Sequence, residues 1–133
     1  MDFRKLVIPI ALILVWCAEP IGVAAQDTGW TAPEKADKLE NPLEPSDRIR
    51  AAGDKIFQQL CAVCHGKNGE GDGVTASSLE PKPANLKNST IQNQSDGALF
   101  WKIREGRPPM PPFGSQLSEK QMWAVVTYIK SLD

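Results

Sequence analysis

The chain has 133 residues, of which 41% are hydrophobic, and these values fit one small globular domain. Its formal net charge is −1, which excludes the strongly basic surface by which proteins bind nucleic acid or acidic membranes. It contains three Cys and a single His, so the positions of these residues are informative.

Residues 1–25 have the three parts of an export signal. A basic start is followed by an apolar stretch at 6–18 and by small residues at 23–25, the positions that a signal peptidase reads. We predict cleavage after Ala25, export to the periplasm and no stable membrane insertion afterwards. Retention as a membrane anchor stays open, although an apolar stretch of about 13 residues is shorter than the ~20 that span a bilayer. Lipid attachment at Cys17 is disfavoured by the bulky residue before it.

Residues 26–45 form a polar, acidic segment that is punctuated by three prolines. It has no sustained helical or alternating apolar pattern, so we predict an extended N-terminal arm. Trp30 and Leu39 either dock on the surface of the domain or belong to a loosely ordered terminus. The domain itself is expected to comprise residues 46–133.

The first helix of the domain is predicted to begin at Ser46, a good N-cap residue. Apolar residues follow at helical spacing, and Gly53 interrupts their face, which indicates the close approach of another helix. The same helix is expected to continue through Cys61 and Cys64, which lie one turn apart and therefore project to one side.

The middle of the domain is rich in loops. Four glycines between 66 and 73 and two prolines between 81 and 83 exclude a regular helix there. A second helix fits residues 95–105, capped by a serine and stopped by Gly106. Residues 107–113 contain four prolines and must form a stiff, extended loop.

The last helix has the clearest start signal in the chain. Ser118 and Gln121 form a capping box, with Leu117 and Met122 placed as a hydrophobic staple around it. No segment has a convincing strand pattern, and no internal repeat is visible. The sequence therefore predicts an all-α fold with about three to five helices.

The most specific motif of the chain is Cys61-Ala62-Val63-Cys64-His65. Two cysteines one helical turn apart can each form a thioether with a haem vinyl group, and the adjacent His65 can supply an axial nitrogen to the iron. A structural zinc site would need a fourth ligand that the chain lacks after cleavage. A thioredoxin-type dithiol would need a βαβ setting, and a plain disulfide would not need the histidine. We therefore predict one covalently bound haem c.

The sixth iron ligand is predicted to be Met110. His65 is the only histidine, which excludes a second imidazole within one chain. Met122 is already explained by the last helix, whereas Met110 stands between two Pro-Pro pairs and has little freedom to lose on binding. The alternative is that Met110 only fills a gap in the core. His/Met ligation would raise the reduction potential of the haem.

These motifs resemble those of the class I cytochrome c family over residues 46–133. The matching segments are Gly53 and Phe57 before the Cys-x-x-Cys-His-Gly motif, then Pro83-Ala84-Asn85-Leu86, then Gly106 and Met110-Pro111, and last Trp123 and Tyr128-Ile129. The resemblance implies the small cytochrome c fold, wrapped around one haem. It also implies that the first and last helices cross closely, with Gly53, Phe57 and Tyr128 at the crossing.

The resemblance further implies what surrounds the haem. In this family a backbone carbonyl from a loop proline orients the axial histidine, and Pro83 is the best match, with Pro81 close by. Haem propionates need hydrogen-bond donors, for which Trp101, Arg104 and Arg107 are candidates. A surface position is the alternative for each of these three.

A closed, six-coordinate iron is typical of a periplasmic electron carrier and not of an enzyme. The expected partners are redox proteins, with a quinol-oxidising complex or a dehydrogenase as donor and a terminal oxidase as acceptor. The carrier is expected to be a monomer. Two alternatives stay open: a haem c subunit of a dehydrogenase or oxidase complex, docked through its N-terminal arm, and a peroxidase-like haem enzyme whose sixth site opens.

Overall fold

The computed structural model describes residues 29–132, so the predicted export signal lies outside the described residues. Within this range there are three longer and three single-turn helices: α1 Glu34–Asp37, α2 Asp47–Leu60, α3 Ala62–His65, α4 Ser89–Gln92, α5 Asp96–Glu105 and α6 Glu119–Ile129. A short 3-10 turn spans Ala76–Ser78. The described residues form no β-strand, which confirms the all-α prediction. None of their helices is long and apolar enough to cross a bilayer.

The three longer helices begin where the sequence predicts. Ser46 Oγ and Ser95 Oγ each accept a hydrogen bond from the amide three residues on, at 3.3 and 3.0 Å. Each bond satisfies an amide that has no partner inside its helix. At α6, Ser118 Oγ accepts from Gln121 N at 3.3 Å while Gln121 Oε1 accepts from Ser118 N at 2.9 Å. These contacts confirm the two serine caps and the capping box.

α2 and α6 cross closely at Gly53. A Cβ at this position would lie 2.0 Å from Ala124 O, so only glycine allows the two backbones to approach this far. One turn along α2, the rings of Phe57 and Tyr128 lie with their centroids 5.1 Å apart. The predicted crossing of the first and last helices is confirmed, and it explains why a glycine interrupts α2.

The main core lies between α2, α5 and α6. The rings of Phe100 and Trp123 stack with centroids 4.1 Å apart, and this pair ties α5 to α6. The buried side chains of this core are Phe57, Leu86, Leu99, Phe100, Ile103, Phe113, Met122, Trp123, Val125, Val126 and Ile129. They come mainly from α5 and α6, so these two helices supply most of the core.

The structure differs from the prediction at the first cysteine of the motif. α2 ends at Leu60, Cys61 caps it with φ −107°, and α3 begins at Ala62. The chain therefore bends at Cys61, where the sequence predicts one continuous helix. Periodicity does not reveal the single-turn helices α1 and α4 either, because four residues are too few to show a helical period.

Residues 29–45, called the N-terminal strap below, pack on α5. Ala36 of α1 is 1% exposed, and a Cβ at Gly97 would lie 2.0 Å from its carbonyl oxygen. Ser95 Oγ donates to Asp37 Oδ1 at 2.8 Å. Leu39 stays 41% exposed. The strap thus has a defined place on the domain and contains one helical turn, where the sequence predicts extended chain.

Candidate functional site

One cleft brings the residues of the sequence motif together with the proline-rich loop. It is lined from α2 to α6, from the strap and from the loops that follow α3 and α5. Its apolar wall consists of Phe57, Leu79, Leu86, Ile91, Leu99, Ile103, Phe113, Leu117, Val125 and Ile129. Cys61, Cys64, His65 and Met110 line the same cleft. The fold therefore places two sulfur nucleophiles and two possible iron ligands around one apolar space.

Both cysteines are free thiols, and both are partly buried. Burial, and to a smaller extent the neighbouring Cys64, raises the pKa of the Cys61 thiol to about 12. Cys64 Sγ lies 3.3 Å from Thr75 Oγ1, a contact that orients this side chain. Since the two thiols are not joined to each other, both sulfurs are available for thioether bonds.

His65 is held in one orientation by a backbone carbonyl. Its Nδ1 lies 3.0 Å from Ala84 O. A carbonyl oxygen only accepts, so Nδ1 carries the proton and Nε2 keeps the lone pair that a metal needs. Burial lowers the pKa of His65, while the bond to Ala84 raises it to a smaller extent. The neutral imidazole that results is the form that ligates iron.

The carbonyl that binds His65 comes from Ala84, and not from Pro83 or Pro81 as the sequence predicts. The carbonyl oxygen of Pro83 instead packs closely against Gly71, where an added Cβ would lie 2.6 Å from it. Successive carbonyls of an extended segment point to opposite sides, so only one of the two can face the imidazole. Pro81 and Pro83 still line the cleft.

The glycine-rich loop is what brings Ala84 to the histidine. Gly71 has φ +79°, a conformation that favours glycine, and its N–H donates to His65 O at 2.7 Å. Leu86 N–H donates to Gly69 O at 2.7 Å, which joins the loop to the segment that contains Ala84. The loop therefore acts as a spacer that fixes the distance between the motif and its carbonyl partner.

Met110 lies at the end of a closed turn. Arg107 N–H donates to Met110 O at 3.0 Å, and Met110 N–H donates to Arg107 O at 2.8 Å. The peptide bond between Pro108 and Pro109, the two residues inside the turn, is cis. Met110 is half-buried at the cleft, whereas Met122 is 1% exposed in the core and does not line the cleft. Of these two methionines, Met110 is therefore the one that lines the same cleft as His65.

Of the three donors that the sequence suggests for the propionates, Arg107 lines the cleft. Trp101 packs against the alanines of the strap contact, and Arg104 pairs with Glu105 at 2.7 Å, so neither belongs to the cleft lining. The structure thus places one of the three candidates, Arg107, in the cleft, where it remains a candidate donor to the propionates, and it places Trp101 and Arg104 elsewhere.

Lys102 and Trp30 line the cleft, and sequence reasoning missed both in this role. Lys102 is 9% exposed, and its Nζ donates to Gln94 Oε1 at 2.6 Å. A lysine between Phe100 and Ile103, within the apolar face of α5, is a signal that could have revealed it. No comparable signal exists for Trp30, because its position depends on how the strap docks.

The donor set and the lining fit a haem c. Two free thiols can hold its vinyl groups, an oriented imidazole and a thioether can bind its iron, and the apolar wall suits a macrocycle. Lys102 and Arg107, which line the cleft, could supply positive charge for its two propionates. Among residues 29–132, no three His, Cys, Asp or Glu side chains come together that could hold a metal ion directly.

Residues 49–129 match the family model described as Cytochrome C oxidase, cbb3-type, subunit III. The chain is 37% identical over 79 residues to a cytochrome c6 of Synechococcus sp., an alignment that covers 59% of this chain and 66% of that relative. It is 33% identical over 81 residues to the cytochrome c6 of Leptolyngbya boryana, with 59% of this chain and 87% of that relative covered.

Two solved structures are similar in fold as well as in sequence. One is a chain of the Kuenenia stuttgartiensis reducing HAO-like protein complex Kustc0457/Kustc0458, with a TM-score of 0.64 and 31% identity. The alignment covers 71% of this chain and 49% of that one, so this chain spans about half of its length. The other is the KustC0563 c-type cytochrome, with a TM-score of 0.52, 27% identity, and 60% of this chain and 95% of that chain covered.

Proposed function

Because this chain belongs to the class I cytochrome c family and is a haem c electron carrier, we propose that it shuttles single electrons between redox proteins in the periplasm. One observation supports this most directly. Cys61, Cys64, His65 and Met110, which are separate in sequence, line one apolar cleft. That set can hold a haem by two thioethers and close both axial positions of its iron, which leaves no site for a substrate.

The bound haem supplies a one-electron couple, and the residues of the chain adjust it. Cys61 and Cys64 keep the cofactor attached outside the cell membrane, where it would otherwise be lost. Ala84 holds the His65 ring so that Nε2 is free for iron, which strengthens this ligand. Met110 as the second ligand raises the reduction potential. The apolar wall limits water near the iron, which also favours the reduced state.

Location in the periplasm is supported by the export signal predicted at residues 1–25. Covalent haem attachment fits the same compartment, since a tethered cofactor cannot be lost to the medium. The proposed partners are a quinol-oxidising complex or a dehydrogenase as donor and a terminal oxidase as acceptor. Electron-transfer encounters of this kind use small interfaces that form and separate quickly. We expect the carrier to be a monomer between encounters.

Substitution of Met110 is the experiment that tests this proposal. Met110→Ala should change the visible spectrum, lower the reduction potential and allow external ligands to bind the iron. Met122→Leu removes the other methionine of the domain and should leave the potential unchanged, which makes it the matched control. If Met110→Ala kept the wild-type spectrum and potential, Met110 would not be a ligand and the proposed His/Met ligation would be wrong.

A second candidate function, that of a haem c subunit of a larger complex, is suggested by one of the structural neighbours. The Kuenenia stuttgartiensis chain belongs to a protein complex. This chain carries a docked strap outside the segment that matches the family model, and such an addition could seat it in a complex. Isolation from native membranes and periplasm distinguishes the two functions. A stable, stoichiometric partner would favour a subunit, and a free monomer would favour the carrier.

A peroxidase-like activity would require the sixth iron position to open in the native protein. Titration of the wild-type protein and of Met110→Ala with cyanide or peroxide decides this. Wild-type protein that bound these ligands as readily as the variant would have an open site. We expect the wild-type iron to bind these ligands far more weakly.

A further inference from the structure

Trp30 reaches the cleft although it lies outside the segment that matches the family model. It is half-buried and lines the cleft together with Met110. Its ring centroid lies 5.0 Å from Arg107 Cζ and 5.4 Å from Lys102 Nζ. Its ring also lies 6.4 Å from that of Trp101. Both cations are at cation–π distance, so this one ring connects α5 to the loop that follows it.

Arg107 is one end of the turn that presents Met110. The two residues exchange backbone hydrogen bonds at 3.0 and 2.8 Å. Pro108 and Pro109 fill the positions between them, and proline fixes φ, so the turn moves as one unit. A side-chain contact that holds Arg107 in place therefore also holds the backbone of Met110.

The loop is held at both ends, in two different ways. At its far end, Phe113 N–H donates to Ile103 O at 3.0 Å and Gly114 N–H donates to Arg104 O at 3.1 Å, which joins it to α5 through the main chain. At its near end, the Arg107 guanidinium lies over the ring of Trp30. The near end thus has a side-chain contact to the strap in addition to the main-chain bond from Gly106 N–H to Lys102 O at 3.0 Å.

The strap that carries Trp30 is anchored by contacts distant from the cleft. Gly97 leaves room for Ala36 O, which a Cβ would approach to 2.0 Å. Asn41 Nδ2 donates to Thr127 Oγ1 of α6 at 3.1 Å. These contacts bring Trp30 to the turn at a small entropic cost, because most of the ordering is done elsewhere.

We propose that Trp30 is a positioning residue for Met110, through which the N-terminal strap holds the methionine ligand against the haem iron. The inference rests on the proposed ligation of iron by His65 and Met110. A thioether binds iron weakly, so the fraction of protein with this bond intact depends on how firmly its loop is held. Removal of a partly buried cation–π contact should raise the ratio of protein with this bond broken to protein with it intact by about tenfold.

The test measures how readily imidazole replaces Met110 on the ferric iron of the full chain. Trp30→Ala should lower the apparent Kd for imidazole by about tenfold and weaken the methionine–iron charge-transfer band. Its far-ultraviolet circular dichroism should stay that of a helical protein. Trp30→Phe keeps an aromatic ring and should restore most of the wild-type behaviour. Thr31→Ala, at the exposed neighbouring position, is the matched control and should change neither readout.

A wild-type imidazole affinity in folded Trp30→Ala would overturn the inference. If that variant does not fold, Arg107→Gln removes the other partner of the contact. It should lower the apparent Kd for imidazole by about tenfold, as Trp30→Ala does. The double variant should show less than the sum of the two effects, and full additivity would contradict a direct contact.

Met110→Ala separates this inference from the proposed function on which it rests. A wild-type spectrum in Met110→Ala would mean that the ligation itself is wrong. An iron that opens in Met110→Ala but stays closed in folded Trp30→Ala would leave the ligation intact and refute only the positioning role.

Discussion

Two contacts in this molecule depend on the same device, a glycine whose missing Cβ lets another backbone approach. At Gly53, a Cβ would lie 2.0 Å from Ala124 O, and at Gly97 it would lie 2.0 Å from Ala36 O. The first contact joins α2 to α6 within the segment that matches the family model, and the second joins the strap to α5 from outside it. The geometry is the same, but the surroundings are not.

The side chains around the two glycines differ in size. Phe57, Val125 and Val126 beside the α2–α6 crossing are fully buried at 0% exposure, whereas the strap contact buries the small side chains of Ala36 and Ala98. Since the stabilisation from burial scales with apolar area, the crossing should hold the domain together and the strap contact should hold only the strap. A close backbone contact by itself therefore does not say how much stability depends on it.

The largest effect is expected at the crossing itself. Phe57→Ala removes a ring that is 0% exposed and that packs on Tyr128, so the free energy of unfolding should fall by about 3–5 kcal/mol. Chemical denaturation of the haem-loaded protein measures it. Val74→Ala, at a position that is 88% exposed and does not line the cleft, is the control. A loss at Phe57 no larger than that of Val74→Ala would show that the crossing is not the main source of stability.

Gly53→Ala should also destabilise, by about 3 kcal/mol, because the added methyl group meets the carbonyl of Ala124 and not a movable side chain. At an exposed helical position the same change would stabilise by about 1 kcal/mol, so the sign is informative. Ala51→Gly, at an exposed position of α2, measures the helix propensity alone. If Gly53→Ala raised the melting temperature, the close approach of the two helices would be wrong.

Gly97→Ala should have a smaller effect, about 1–2 kcal/mol, and should displace the strap while the domain remains folded. Limited trypsin digestion measures this, because cleavage after Lys35 or Lys38 should become faster. The variant should also bind imidazole more tightly, as Trp30→Ala does. Thr31→Ala, at an exposed position of the strap, is the control. Unfolding of the whole domain with the strap would contradict the distinction between the two contacts.

The smallest effect is expected at two N-cap serines, of which Ser95 also contacts the strap and Ser118 does not. Ser118→Ala and Ser95→Ala should each cost about 1 kcal/mol through loss of an N-cap. Ser95 also donates to Asp37 Oδ1 at 2.8 Å, so a double-mutant cycle with Asp37→Ala should give a coupling of roughly 0.5 kcal/mol. The same cycle between Ser118 and Asp37 should give none. A coupling of zero at Ser95 would mean that the bond does not contribute to docking.

Features that depend on neighbours in sequence could be predicted from the sequence. The caps at Ser46, Ser95 and Ser118 are bonds between residues three positions apart, so each is visible in a short stretch of chain. The stiff loop around Met110 follows from its prolines, since each fixes its own φ. The glycine in α2 indicated a close contact, although the sequence needed the family resemblance to say with which helix.

Features that depend on distant parts of the chain could not be predicted in the same way. Pro83 and Ala84 are adjacent in the sequence, and only the direction of the extended segment decides which carbonyl faces the imidazole. Trp101 and Arg107 have similar sequence signals, yet only Arg107 lines the cleft. Which of several candidate residues faces the cleft depends on the orientation of its backbone segment. That orientation is set by contacts with residues that are distant in sequence.

The sequence by itself therefore determined where the three longer helices begin, the Cys61-x-x-Cys64-His65 motif and the rigid turn of Met110, because each follows from local geometry and the chemistry of a few adjacent residues. Only the tertiary structure decided that these groups share one cleft, that Ala84 orients the histidine and that Trp30 reaches the methionine turn. The last of these depends on packing between the strap and α5, where small residues and a missing Cβ leave no periodic signal in the chain.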